Sequence, residues 1–163
     1  MFSSETYVLY DVLFKDLGTE VEHTDWTNEG NMTVTRSDTD TTLSPTTSSS
    51  QATRYLSLSS YTVPFTIEMD LCLTFSTGGG SSLLSLRQSS TSKGGYTPNG
   101  LGLTTGEWVH VKLEVTDETL TATVDGVAKD PVTHDGVFNR FYFTIPGNYN
   151  WGIQYKNFII YPI

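Results

Sequence analysis

The sequence predicts an all-β protein, and three observations lead to this class. Residues 65–75 and 109–115 each alternate apolar with polar side chains, which is the period of a half-buried strand. Residues 120–124 repeat this alternation after a short polar turn. In contrast, no window of about eleven residues carries a convincing helical period. We therefore expect about a dozen strands and few if any helices.

The first third of the chain is predicted to hold an early strand and two long loops. Residues 7–14 are rich in strand formers, and Gly18 closes them off. Residues 19–30 are acidic and irregular, and we interpret them as a loop that contains Trp26. The Ser- and Thr-rich residues 44–50 are predicted to form a second loop between strands. We do not expect a linker between domains, because neither flank is large enough to fold alone as a sandwich.

The middle of the chain is predicted to contain the central strand. Alternation returns at residues 55–59, and residues 65–75 then give the longest strand candidate. Three glycines at residues 78–80 interrupt the chain before a leucine-rich segment at 83–86 starts another strand. Residues 88–100 are rich in Ser, Thr and Gly, and this composition predicts a loop.

A meander is predicted after this loop. Residues 109–115 and 120–124 form an antiparallel hairpin, with Trp108 anchoring its entry. The pair Asp125-Gly126 tolerates the positive φ angles of a tight turn, so a third strand is expected to begin at Val127.

The end of the chain contains three further strand candidates. Residues 141–145 and 151–156 alternate aromatic or aliphatic with smaller or polar side chains. Residues 157–163 are densely apolar, which favours a separate buried terminal strand.

Three segments give the chain a family resemblance. In residues 106–127, Gly-x-Trp precedes the first strand and Val-Asp-Gly closes the second. This arrangement resembles the hairpin signature of LamG-like domains in the concanavalin A-like lectin/glucanase superfamily. Residues 65–70 are similar to the family's middle strand, and residues 155–161 to its closing strand. The resemblance implies a jelly-roll sandwich of two antiparallel sheets. Because the superfamily contains lectins, glycosidases and adhesion modules, the fold narrows the function without fixing it.

Length and charge restrict the function further. The 163 residues fit one domain, predicted to span residues 1–163, that buries about 70% of its unfolded surface. With Cys72 as the one cysteine, an internal disulfide framework is excluded. The 9 Lys and Arg residues against 18 Asp and Glu residues give a charge of −9, which repels phosphate backbones and anionic lipids. We expect no nucleic-acid partner.

The first residues carry neither a basic cluster nor a long apolar run, so no signal peptide and no membrane insertion are expected.

Glu68 and Asp70 are the strongest indication of an enzyme. Residues two apart on a strand share a face and lie about 7 Å apart, so the two carboxylates could flank one glycosidic bond. The segment also resembles the motif of laminarinase-type glycosidases, in which Glu-x-Asp is followed by a second Glu two or three residues after the Asp. Here Cys72 and Leu73 occupy those positions. The resemblance therefore implies that the proton donor is missing, and we expect no catalytic residue and two solvated carboxylates on the outer face of the strand.

The metal-binding signals are weak. His23, His110 and His134 are scattered through the sequence without zinc spacing, so surface histidines are expected. Asp38, Asp40 and the acidic residues 19–30 offer oxygen ligands, but no spaced calcium loop is present. We expect no cofactor and leave calcium open as an alternative.

The remaining chemistry lies in aromatic and amide side chains of predicted loops. Sugar sites combine a ring that stacks on the apolar face of a sugar with side chains that hydrogen-bond its hydroxyls. The predicted ligand-binding residues are Trp26, Tyr96, Asn99, Asn148, Tyr149, Asn150 and Trp151.

The sequence thus favours a noncatalytic, lectin-like adhesion module that recognises a cell-surface or cell-wall glycan. We expect it to belong to a larger adhesin or a viral or phage fibre, in an extracellular, cell-surface or virion location. Two alternatives stay open. One is a structural or protein-binding sandwich, including a homo-oligomer, and the other is a glycoside hydrolase with a displaced acid/base residue.

Overall fold

A computed structural model describes residues 19–20, 25–30, 32–45, 51–75, 81–145 and 152–163. The described part of the chain contains fourteen strands and one short helix, α1 (Pro98–Leu101). The early strand predicted at residues 7–14 lies outside these residues. The strands are β1 (Thr19–Glu20), β2 (Trp26–Gly30), β3 (Met32–Arg36), β4 (Thr41–Pro45), β5 (Ala52–Ser57), β6 (Phe65–Phe75), β7 (Leu84–Gln88), β8 (Thr91–Tyr96), β9 (Trp108–Val115), β10 (Thr119–Val124), β11 (Val127–Ala128), β12 (Val132–Thr133), β13 (Arg140–Ile145) and β14 (Gly152–Pro162).

The strands form two antiparallel sheets. The large sheet has the order β11-β10-β9-β6-β14-β4-β3, with β1 paired to β14 and β12 paired to β10. The small sheet has the order β2-β5-β13-β7-β8. The inner faces of both sheets supply one continuous hydrophobic core. This architecture confirms the predicted all-β, concanavalin A-like jelly-roll sandwich.

The predicted central strand is confirmed as β6. It pairs with β9 on one side and β14 on the other, so its backbone donors and acceptors are satisfied from both edges. Ile67, Met69 and Leu71 alternate along it and are fully buried. The residues between them project from the opposite, outward face of the large sheet.

An aromatic cluster fills the core where β2, β13 and β14 meet. The Trp26 ring lies 5.3 Å from Phe143 and 4.9 Å from Phe158, centroid to centroid. Arg54 is buried beside it, and its guanidinium carbon lies 5.1 Å from the Trp26 ring centroid. A cation over an indole face is favourable, and the same burial lowers the pKa of Arg54.

The predicted hairpin is confirmed as β9 and β10, which pair with Leu120 opposite Val115. The predicted turn is also confirmed, because Asp125 and Gly126 have φ angles of 48° and 81°. Two positive φ angles match the right-handed twist of the flanking strands. The third strand, β11, begins at Val127 as expected.

The prediction of a loop over residues 19–30 is wrong for its described part. Thr19–Glu20 pair with β14, and Trp26–Gly30 pair with β5 along their whole length. Neither segment shows apolar alternation, so no local pattern marks it as a strand. Pairing with a neighbour decided their conformation.

The prediction of a loop over residues 88–100 is also wrong, because this segment contains β8 and most of α1. β8 pairs with β7 through a register shift between Leu86 and Arg87. A Cβ placed on Gly95 would lie 2.4 Å from the Leu84 carbonyl oxygen. Glycine in this segment therefore permits a close approach between two backbones.

The two strands predicted at 151–156 and 157–163 are one strand, β14, with a bulge in its middle. Its register against β6 shifts between Lys156 and Ile159. Asn157 lies in this bulge with a φ of 53°, a left-handed conformation that Asn tolerates better than most residues. The bulge redirects the side chains of β14 at the point where the candidate site is built.

Candidate functional site on the large sheet

The outward face of the large sheet carries a polar cluster. On β6, Glu68 and Asp70 alternate with buried residues, so both project outward. The strand register places Lys112 of β9 opposite Glu68 and His110 opposite Asp70. Antiparallel pairing brings such opposite side chains within about 5.5 Å at their Cβ atoms. The cluster is therefore a consequence of the register of three neighbouring strands.

His110 connects the two carboxylates. Its Nδ1 lies 2.9 Å from Asp70 Oδ1, and its Nε2 lies 3.5 Å from Glu68 Oε2. The imidazole is 51% exposed, whereas the Glu68 and Asp70 side chains are 17% and 26% exposed. The imidazole is thus held by acidic groups on the sheet and reaches solvent above them.

Two side chains of β14 complete the cluster from the other side of β6. Asn157 Nδ2 donates to Asp70 Oδ2 at 2.6 Å, a contact that the bulge makes possible. The Tyr161 hydroxyl donates to Glu68 Oε1. Burial and the neighbouring Glu68 carboxylate raise the pKa of Tyr161 far above its usual range, because both disfavour a phenolate. Tyr161 is therefore a fixed hydrogen-bond donor.

An aromatic ring borders the cluster at the first residue of β9. The Trp108 side chain is 40% exposed, so the predicted anchor of the hairpin is a surface ring. Lys156 Nζ lies 4.4 Å from its ring centroid, within the range of a cation–π interaction. The face thus combines an accessible indole, an ammonium group, an amide and two carboxylates. We call this set the polar face: Glu68, Asp70, Trp108, His110, Lys156, Asn157 and Tyr161.

The carboxylates of the polar face contact neutral donors and an imidazole. Although Lys112 is in register with Glu68, its Nζ forms an ion pair with Glu114 Oε1 at 3.1 Å. Among the described residues, no Lys or Arg lies within ion-pair distance of Glu68 or Asp70. Their charge is consequently available to other hydrogen-bond donors, such as the hydroxyls of a ligand.

The two positions of the glycosidase resemblance are unsuited to proton donation. Leu73 lies in the core, and Cys72 is buried. Burial raises the pKa of the Cys72 thiol, and its Sγ donates weakly to the Leu73 carbonyl oxygen at 3.9 Å. Instead of the solvated carboxylates expected from the sequence, Glu68 and Asp70 are partly buried and hydrogen-bonded to side chains from two neighbouring strands.

The predicted ligand-binding residues lie elsewhere. Trp26 is 8% exposed and packs in the aromatic cluster of the core. Tyr96 is buried, with its hydroxyl bonded to backbone groups of the large sheet. Asn99 is exposed on α1. Residues 148–151, which comprise Asn148, Tyr149, Asn150 and Trp151, lie outside the described residues. The structure brings none of the three described residues onto the polar face, and a ligand-binding role for the whole set stays a prediction.

Sequence reasoning missed most of the polar face. His110 was expected to be an ordinary surface histidine, and Asn157 and Tyr161 were expected in a buried strand. The signal that could have found His110 is its outward phase on β9 at the register position of Asp70. The bulge at Asn157 has a weaker signal, an Asn within an apolar run.

Neither a metal centre nor a spanning helix is found in the parts that the structure describes. These residues include no group of three or more His, Cys, Asp or Glu side chains placed to hold a metal ion. They also include no helix with the length and apolar character needed to cross a lipid bilayer.

The two antiparallel sheets form a β-sandwich, and the polar face lies on the outward side of the large sheet. No protein-family model and no curated protein matches the sequence. Solved structures share the fold. A sialidase is similar with a TM-score of 0.65 and 13% identity over 86% of this chain, which spans only 17% of the sialidase. A Bacillus subtilis protein with a galectin-like fold has a TM-score of 0.55 and 10% identity, covering 85% of this chain and 89% of that one.

The receptor-binding domain of botulinum neurotoxin mosaic serotype C/D is also similar. Its TM-score is 0.56 at 12% identity, with 89% of this chain and 46% of that one covered. Identities this low establish a shared fold only. The particular resemblance to LamG-like domains stays a prediction.

Proposed function

We propose that this chain is a noncatalytic carbohydrate-binding module and that the polar face is its binding surface. One observation carries the proposal. Two carboxylates, an imidazole and an amide converge beside an exposed indole on the outward face of the large sheet. Side chains on an outward sheet face need only be hydrated by water. Here they hydrogen-bond to one another and hold fixed positions, and this arrangement indicates a ligand.

The chemistry of the polar face matches that of a sugar. Carboxylate oxygens of Glu68 and Asp70 accept hydrogen bonds from hydroxyls, while Lys156 and Asn157 donate them. The Trp108 ring supplies a flat apolar surface for the C–H face of a pyranose. Lys156 Nζ lies over this ring. A sugar that stacks on Trp108 therefore displaces the ammonium, which then hydrogen-bonds a ligand oxygen.

The same geometry argues against hydrolysis. Retaining hydrolysis needs one carboxylate and one protonated carboxyl about 5–5.5 Å apart on either side of the bond. Here both acids contact His110, and the positions of the family's second glutamate hold a buried thiol and a core leucine. Incubation with a panel of β-glucans should release no reducing ends. Release that Glu68→Gln abolishes would assign the hydrolase alternative instead.

The proposed context is a larger surface protein, such as an adhesin or a viral or phage fibre, acting outside the cell. Two facts support it. This chain covers a small part of the similar sialidase and under half of the similar neurotoxin domain, so the fold occurs within longer chains. The charge of −9 also disfavours nucleic acid and other polyanions as partners.

A glycan array followed by titration tests the proposal. The wild-type chain should bind a subset of glycans, and Asp70→Ala should lower the affinity at least about tenfold, since a charged hydrogen bond contributes about 1.5–3 kcal/mol. Asp130→Ala is the matched control, because it removes an exposed carboxylate outside the polar face. Thermal unfolding of both variants checks that the fold is retained. Absence of binding across the array, or equal weakening by both variants, would refute the proposal.

A further inference from the structure

A pocket lies beside the polar face, under the loop that joins β3 to β4. Its volume is about 250 Å³. The pocket is lined by charged and hydroxyl side chains of the loop on one side and by residues of β2 and β14 on the other. They include Arg36, Asp38, Asp40, Tyr155, Lys156 and Asn157.

The pocket exists because the large sheet opens at the bulge of β14. The described pairing of β14 with β4 ends at Tyr155 opposite Thr41, while β1 pairs with β14 from Ile159 onward. The bulged residues between these contacts have no described partner strand on that edge. Aromatic side chains of the core, Tyr155 and Phe158, consequently form one wall of the opening.

The loop that forms the rim is ordered by its own hydrogen bonds. Ser37 Oγ accepts from the backbone N–H groups of Thr39 and Asp40 at 3.2 and 3.1 Å, and Thr39 Oγ1 donates to Asp40 Oδ2 at 3.0 Å. The Ser37 N–H also donates to the Asp40 carbonyl oxygen at 2.9 Å. A rim held in this way loses little conformational entropy when it binds a ligand.

The pocket and the polar face share two residues. Asn157 donates to Asp70 on the face and also lines the pocket. Lys156 lies over the Trp108 ring and lines the pocket as well. A ligand that lies across Trp108 and Asp70 therefore continues directly into the pocket.

From this continuity we infer that the pocket is a terminal subsite, which takes one neutral sugar unit at the end of an oligosaccharide laid across the polar face. This inference rests on the proposed function. The volume is below the about 300–1,000 Å³ typical of pockets for drug-sized ligands, so it suits a single ring. Arg36 and Lys156 balance Asp38 and Asp40, which favours an uncharged, hydroxyl-rich unit over an acidic or basic one.

The test compares ligands of increasing length. The probes are gluco-, galacto- and manno-oligosaccharides from monosaccharide to hexasaccharide, titrated by calorimetry. The pocket variant is Arg36→Ala/Asp38→Ala, which removes two exposed side chains of opposite charge from the rim. The matched control is Lys129→Ala/Asp130→Ala, which makes the same charge-neutral change outside both features. Asp70→Ala reports on the polar face.

We expect the wild-type chain and the control to bind the longer oligosaccharides about tenfold more tightly than the disaccharide. The pocket variant should lose this gain with length and keep the affinity for the disaccharide, whereas Asp70→Ala should weaken binding at every length. If the pocket variant matches the wild type at all lengths while Asp70→Ala weakens binding, the subsite is refuted and the proposed function stands. If the pocket variant loses all ligands, the pocket is the main site and the inference of a terminal subsite is wrong. If the wild-type chain binds no probe, the inference and the proposed function fail together.

Discussion

The Tyr96 hydroxyl ties the two sheets together, and its removal has a calculable effect. Tyr96 ends β8 of the small sheet, yet its hydroxyl accepts from the Ala122 N–H of the large sheet at 3.1 Å. The hydroxyl in turn donates to the Leu120 carbonyl oxygen at 2.9 Å and to that of Asp130 at 2.8 Å. Tyr96→Phe removes the hydroxyl oxygen and leaves the buried Ala122 N–H without this partner.

The expected cost of Tyr96→Phe follows from this one buried N–H. An unsatisfied buried donor or acceptor costs about 1–3 kcal/mol of unfolding free energy. In a domain of this size each kcal/mol changes Tm by about 2–4 °C, so Tm should fall by about 2–12 °C. Urea denaturation gives the free energy, and differential scanning calorimetry gives Tm. The m-value should stay unchanged, because the substitution alters no exposed surface.

Tyr142→Phe is the matched control for this experiment. The Tyr142 ring is also buried, but its hydroxyl accepts from Arg140 and donates to Glu29, whose side chains are partly exposed. Water can hydrate these two partly exposed partners after the substitution, so the cost should be smaller than that of Tyr96→Phe. If the two variants lose the same unfolding free energy, the reasoning is refuted. The loss would then come from removing any tyrosine hydroxyl and not from leaving a buried partner unsatisfied.

Two further predictions concern close packing and pH. Gly95→Ala should destabilise the fold by about 1–3 kcal/mol, because its Cβ meets backbone oxygen at 2.4 Å. Gly94→Ala should cost less in the same denaturation assay, since its Cβ meets a side-chain methyl of Val132 at 3.0 Å. Burial raises the pKa of four phenols in the folded state, so above about pH 10 these phenols ionise more readily in the unfolded chain. The free energy of unfolding should therefore be unaffected by them below about pH 10 and fall above it. Ultraviolet titration should show these phenols ionising only as the fold is lost, and early ionisation of all tyrosines would contradict this. The four buried phenols are those of Tyr96, Tyr142, Tyr155 and Tyr161.

Elements with a strong local signal were predictable from the sequence. β6 alternates over its full length, and β9 and β10 flank a polar turn, so their faces and their pairing follow from local pattern alone. Asp125-Gly126 adopts the two positive φ angles that its residue types favour. In these segments, propensity, periodicity and turn chemistry agree.

Elements that depend on distant partners were not predictable. β2 acquires its strand conformation from β5, and β8 acquires its own from β7. The glycines of β8 weaken any local strand preference, although Gly95 is needed for the close approach to Leu84. A glycine that a long-range contact requires can therefore favour the prediction of a loop when only the local sequence is considered.

The candidate site was also predictable only in part, because some of its features are local in sequence and others depend on distant partners. The outward phase of Glu68 and Asp70 follows from the alternation of β6, but their partners depend on which strands lie beside it. His110 is distant in sequence from Asp70, and Asn157 reaches Asp70 only because β14 bulges. The aromatic residues chosen from the sequence, Trp26 and Tyr96, are buried by contacts between the sheets that no local pattern reports.

The placement of two acids on an interior strand also bears on function. Glu68 and Asp70 lie on the same face of one strand, where like charges repel. A surface needed only for solubility avoids this cost by alternating charges, as Lys112 and Glu114 do on the neighbouring strand. Here the compensating groups are a phenol, an amide and an imidazole, which fix the carboxylate oxygens without neutralising them by a lysine or an arginine. Fixed, incompletely neutralised acceptors are what a preorganised site for hydroxyl donors requires, so the stability cost is consistent with binding.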